Sequence, residues 1–76
     1  MNVTIKCFAA LREQAGFSEQ VVELQSGDNA AGVWQRVCDL PLDPHILVAI
    51  NKQYAQLSSP VSDGDEVAFF PPVTGG

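Results

Sequence analysis

Basic residues are scarce in this 76-residue sequence: four Lys and Arg stand against nine Asp and Glu, for a formal charge of −5 and a pI near 4.4. Nucleic acids select basic faces, so that class of partner is argued against, and a protein with a basic mouth fits better. Histidine occurs once, at His45. One imidazole cannot assemble a metal site, and its place ahead of an apolar run reads as surface or strand edge. The two cysteines, Cys7 and Cys38, fit neither a metal-ligand spacing nor Cys-x-x-Cys. Both fall on apolar faces and read as small buried hydrophobes. A disulfide is not expected in a reducing compartment, and no positive neighbour in sequence would activate either thiol. Long apolar runs are missing. The longest, residues 46–50, is far short of the ~20 residues that cross a bilayer, so no membrane partner is expected. The first six residues alternate and hold no signal-peptide core, so the expected compartment is the cytosol.

Enzyme signatures are missing as well. Residues 26–32 are rich in small residues but lack the lysine and spacing of a phosphate-binding loop. No Ser/His/Asp arrangement is supported. Asp63, Asp65 and Glu66 cluster without the ligand pattern of a calcium loop. They read as a solvated turn, with contact to a basic partner as the functional alternative. No bound cofactor or metal is expected, and no residue set looks able to run a reaction alone.

What is present is an α+β pattern in one small domain, which at this length buries only about 60% of its unfolded surface. Val3, Ile5 and Cys7 alternate with Thr4, Lys6 and Phe8, the period of a strand with one inner face. Residues 11–15 suggest a helical turn ended by Gly16. Residues 19–24 suggest a second strand, antiparallel to the first, with Val22 and Leu24 inward. Asp28 or Asn29 would cap a helix over 30–39. Its apolar positions Ala30, Val33, Trp34, Val37 and Cys38 form one amphipathic stripe. Gly32 weakens that helix by ~1 kcal/mol relative to alanine; close packing against the sheet would be one reason to keep it. Pro41 and Pro44 end it. Strands follow at 46–50, 54–57 and 66–70, the last behind a tight turn at 62–65. The order β, β, α, β, short β, β fits a β-grasp: a mixed sheet covered on one face by a helix, with the first and last strands parallel at its centre. Trp34 is then the core anchor, buried against Val3, Ile5, Val22, Val67 and Phe69.

Strand phase turns this into a functional expectation. With Ile5, Cys7, Val67 and Phe69 inward, Phe8 and Phe70 point outward on neighbouring strands. Two aromatics on the helix-free face suggest a docking patch. Beside it runs Phe70-Pro71-Pro72-Val73-Thr74-Gly75-Gly76. Pro71 and Pro72 lack N–H donors, end strand pairing and favour an extended stem. Gly75 and Gly76 have no side chain and could thread a narrow channel. Six residues reach at most about 20 Å. The reading is a domain over 1–70 and a tail over 71–76 that carries the Gly76 carboxylate away from the globule.

The last fifteen residues, and Phe-Phe-Pro-Pro-Val-Thr-Gly-Gly above all, resemble the C-terminus of the small subunits of molybdopterin synthase. Phe8-Ala9-x-x-Arg12-Glu13 is similar to the same family, while the middle matches in pattern only. That family has the ubiquitin-like β-grasp fold. The resemblance implies a sulfur carrier. An activating enzyme would use ATP to adenylate the Gly76 carboxylate, and a sulfur donor protein would displace AMP to leave a thiocarboxylate. The loaded tail would enter the large synthase subunit and pass sulfur to cyclic pyranopterin monophosphate, within a heterotetramer of two small and two large subunits. Gly76 then carries the chemistry and Gly75 gives access. Phe8, Tyr54 and Phe70 fall at the family's apolar contact positions, although the Tyr54 hydroxyl departs from that pattern. Arg12 would pair with an acidic group on a partner, and Pro71, Pro72, Val73 and Thr74 would line the partner's channel. Three alternatives stay open: a carrier for thiazole synthesis, a ubiquitin-like tag joined through Gly76 to lysines, and a binding module with an idle tail.

Overall fold

The computed structural model describes residues 1–25, 27–38 and 45–71. Pro41, Pro44 and the tail residues Pro72, Val73, Thr74, Gly75 and Gly76 lie outside the described residues. In chain order the elements are β1 (Asn2–Cys7), α1 (Ala10–Ala15), β2 (Glu19–Glu23), α2 (Ala30–Val37), β3 (Leu47–Ile50), β4 (Gln53–Ala55) and β5 (Glu66–Phe70).

Alternation sets the sheet. Val3, Ile5 and Cys7 of β1 are buried, as are Val67 and Phe69 of β5, while the residues between them face the other way. The strands form one sheet in the order β2-β1-β5-β3-β4. β1 and β5 pair in parallel, with Ile5 opposite Val67 and Cys7 opposite Phe69; the other pairings are antiparallel. The expected mixed sheet is therefore present, with the first and last strands side by side within it.

α2 supplies the cover. Asn29 is its cap, its side-chain oxygen accepting the Gly32 N–H at 2.8 Å. The N–H groups of Ala30 and Ala31 donate to the Ser59 and Leu57 carbonyls, so the segment after β4 satisfies the open end of the helix. Ala30, Val33 and Trp34 are buried with the inner faces of β1 and β5. The Trp34 ring meets Phe69 edge-on, centroids 5.1 Å apart, a geometry worth about 0.5–1.5 kcal/mol beyond area burial.

Several boundaries and contacts differ from expectation. α2 ends at Val37 rather than 39, because Cys38 is already extended, although its N–H still reaches the Trp34 carbonyl. Gly32 does not make room for the sheet. A Cβ there would sit 3.2 Å from Asp28 Oδ1 and 3.3 Å from Asn29 Oδ1, so the missing side chain makes room for the cap itself. β4 starts at Gln53 and stops at Ala55, because Gln56 and Ser59 close a turn in which the Gln56 N–H donates to Ser59 Oγ and the Ser59 N–H to the Gln56 carbonyl. Val22 is only half-buried, since β2 lies at the sheet's edge, whereas Leu24 just beyond it is buried.

The acidic turn is built into the fold. Asp63 accepts the Asn2 N–H at 2.7 Å, and Asp65 accepts the Ser62 N–H at 2.7 Å and the Asn51 side-chain amide at 2.9 Å. Asn51 in turn accepts the Glu66 N–H at 3.0 Å. These bonds tie the β3–β4 turn, the start of β1 and the start of β5 into one corner. The carboxylates of Asp63 and Asp65 thus hold this corner together, and Asp63 stays exposed.

Candidate docking face and tail exit

The outward residues of β1, β5, β3 and β4 build a shallow groove of about 350 Å³ on the face opposite α2. Its floor is Ala49 and Ala68, paired directly across β3 and β5. One wall is aromatic. The Phe8 and Phe70 rings stack with centroids 4.7 Å apart and planes within 6°. Phe8 is 42% exposed and Phe70 half-buried, so the stack is open to a partner. The backbone holds it in place: the Phe8 N–H donates to the Phe69 carbonyl at 3.2 Å, which continues the parallel ladder one residue past β1. The chain then leaves the sheet sharply through Ala9, whose φ of 53° and ψ of −132° suit glycine better.

The far side of the groove is charged. Lys6 Nζ lies 2.6 Å from Glu66 Oε1 and 3.7 Å from Glu19 Oε1. The Glu66 hydrogen bond and charge hold the Lys6 ammonium above the usual lysine range. The same hydrogen bond from Lys6 holds the Glu66 carboxyl below its usual range, with Lys52 adding to the effect. Lys52 rises from the two-residue turn between β3 and β4, where Asn51 and Lys52 both have positive φ (54° and 68°). Tyr54 closes the end of the groove at 81% exposure.

The expected contact residues thus separate. Phe8, Tyr54 and Phe70 come together around one groove. Arg12 is exposed on α1, and among the described residues no carboxylate pairs with it. Pro71 is half-buried directly after Phe70 and is the last residue described. The expected contacts at Pro72, Val73 and Thr74 and the expected chemistry at Gly75 and Gly76 lie outside the described residues. Four groove residues escaped the sequence reading: Lys6, Ala49, Lys52 and Ala68. Alternation already placed Lys6 and Ala68 outward; Lys52 needed the hairpin turn to be recognised. Cys7 is inert by burial, which pushes its thiol up to about 11, with the nearby Cys38 contributing. Among the described residues no group of three or more His, Cys, Asp or Glu could hold a metal ion, and no helix is long and apolar enough to cross a membrane.

A mixed five-stranded sheet with one capped helix across it and parallel first and last strands is the ubiquitin-like β-grasp architecture. The chain belongs to the ThiS family, whose sequence profile matches residues 5–76. Over full length it is 34% identical to the molybdopterin synthase sulfur carrier subunit of Chlamydomonas reinhardtii, covering 100% of both chains. A denser match, 56% identical over 34 residues, joins it to the sulfur carrier subunit of Escherichia coli, but spans only 45% of this chain and 42% of that protein. Among solved structures it is similar to small archaeal modifier protein 1 of Haloferax volcanii, at 31% identity and a TM-score of 0.78 over 100% of both chains. It also shares its fold, at 20% identity and a TM-score of 0.66 over 100% of both chains, with a chain in the complex of subunits 1 and 2 of the molybdopterin-converting factor from Helicobacter pylori.

Proposed function

We propose that this chain is the sulfur carrier subunit of molybdopterin synthase. The observation that supports the reading most is the Phe8–Phe70 stack, an open aromatic patch on the strand from which the chain runs into Pro71 and the Gly-Gly tail. A partner that grips this patch holds the root of the tail and so aims it.

The chemistry belongs to Gly76. A carboxylate is a poor electrophile until one of its oxygens becomes part of a good leaving group. An ATP-dependent activating enzyme would join the Gly76 carboxylate to AMP with release of pyrophosphate. A donor would then deliver sulfide to the acyl carbon, where the new C–S bond forms as the C–O bond to AMP breaks, releasing AMP and leaving the thiocarboxylate. Docked on the large subunit, the tail would deliver that sulfur to cyclic pyranopterin monophosphate. Two loaded carriers serve each dithiolene, in keeping with a heterotetramer. The domain over 1–70 contributes no reacting group; it positions the tail at 71–76. It needs no cofactor of its own, and the cytosol, where ATP and the partners are found, is the expected place of action.

Intact mass of the chain after incubation with ATP, a sulfur source and cell extract tests this. A shift equal to one oxygen replaced by one sulfur, absent when Gly76 is deleted, is the expected result. No shift, in an extract that loads a known carrier, overturns the reading. The likeness to small archaeal modifier protein 1 favours one second reading, a tag joined through Gly76 to lysines of other proteins. Isopeptide-linked adducts in cells would support it, and finding only free or thiocarboxylated chain would oppose it.

A further inference from the structure

We infer that the groove receives an apolar side chain flanked by a carboxylate, presented by the large-subunit partner, and that Lys52 is the cation that pairs with that carboxylate. The inference rests on the carrier reading above. The floor sets the first half of the requirement. Ala49 and Ala68 sit opposite one another in the middle of the sheet, between the Phe8–Phe70 stack and Tyr54. Two of the smallest side chains, walled by aromatics, leave an apolar recess for an inserted side chain. Such a buried anchor is the usual source of binding energy in an interface.

Charge sets the second half. The sequence holds only four Lys and Arg, and two of them, Lys6 and Lys52, line this groove. Lys6 is already engaged by Glu66 and Glu19. Among the described residues, no carboxylate lies within ion-pair distance of Lys52, whose charge acts on Glu66 only as a minor addition to that of Lys6. In a chain of charge −5 this exposed cation marks where an acidic group is welcome.

The backbone points to Lys52 independently. It occupies the second position of a two-residue hairpin turn at φ 68°, where glycine is strongly preferred. A lysine there destabilises the turn relative to glycine. Strain of this kind is tolerated where the side chain has a task.

The test is binding of the full chain to the purified large subunit of molybdopterin synthase from the same organism, titrated at two salt concentrations, with melting temperatures measured alongside. Lys52→Gly should melt a few degrees higher, bind about three- to tenfold more weakly, and lose part of the salt dependence. Ala68→Leu points away from the core and fills the floor; it should weaken binding tenfold or more at an unchanged melting temperature. If Lys52→Gly keeps native affinity and salt dependence, the paired carboxylate does not exist. If a folded Ala68→Leu binds as tightly as the native chain, the inserted side chain does not exist. Should Ala68→Leu fail to fold, Lys52→Gly alone decides. The mass shift at Gly76 reports separately on the carrier reading. A chain that loads sulfur but does not bind the large subunit overturns the groove inference and leaves that reading standing.

Discussion

Phe69 and Phe70 are chemically identical neighbours whose replacement should have opposite consequences. Phe69 has no exposed surface and its ring meets Trp34 edge-on. Phe70, one residue on, points to the other face and stacks on Phe8. Phe69→Ala removes a fully buried aromatic from the centre of the core, which costs about 3–5 kcal/mol. At 0.05–0.15 kcal/mol per residue, a chain of this length has a total stability of roughly 4–11 kcal/mol. The Phe69 variant should therefore lose at least about a quarter of its stability, and most or all of it if the total lies at the low end of that range. Phe70→Ala removes a half-buried ring and a stacked contact of about 0.5–1.5 kcal/mol, a fall in melting temperature of about 5 °C. Urea unfolding followed by Trp34 fluorescence measures both losses. Titration with the large subunit then separates the roles: Phe70→Ala should weaken docking at least tenfold while remaining folded. The reasoning fails if Phe69→Ala costs less than about 1.5 kcal/mol, or if Phe70→Ala destabilises as much as Phe69→Ala. Either result would mean that the faces of β5 have been misassigned.

Other consequences can be checked with the same protein. Gly32→Ala should not give the ~1 kcal/mol that helix propensity promises. The new Cβ would crowd Asp28 Oδ1 and Asn29 Oδ1, the latter already bound to the residue's own N–H, so thermal melting should show no gain. The Lys6–Glu66 pair gives stability a defined pH range. The depressed Glu66 pKa adds stability that is present above the ordinary value of 4.5 and lost as pH falls through the lower folded value. The raised Lys6 pKa adds stability that is present below 10.5 and lost as pH rises through the higher folded value. Glu66→Gln should flatten the acid arm and shrink the alkaline one in a pH series of melting temperatures. Cys7, buried and with its thiol pushed up to about 11, should resist maleimide at neutral pH in the native chain, so that half-buried Cys38 labels first and both label in denaturant.

Features that depend on local period were legible in the sequence. Alternation over 66–70, cut off by Pro71, marked β5 to the residue and placed Phe70 outward. The same alternation marked Phe8, so the stack could be anticipated from phase alone. Features that depend on register were not legible. That Lys6 meets Glu66 follows from a parallel pairing across some sixty residues, in which Thr4 faces Glu66 and Lys6 faces Ala68. Placing the fourth strand at 54 rather than at Gln53 hid the two-residue turn, and with it Lys52. Gly32 was misread because propensity says what a glycine costs in a helix but not which neighbour needs the space; here that neighbour is the cap beside it.

The strand that runs into Pro71 lies inside the sheet, parallel to β1 on one side and antiparallel to β3 on the other. A pull along the residues beyond Phe70 would therefore load two hydrogen-bonded ladders in shear, so that their bonds share the force instead of breaking one at a time. An edge strand in the same position would peel. The fold can thus present a slender end to an enzyme that grips it, while the body behind keeps its shape under tension.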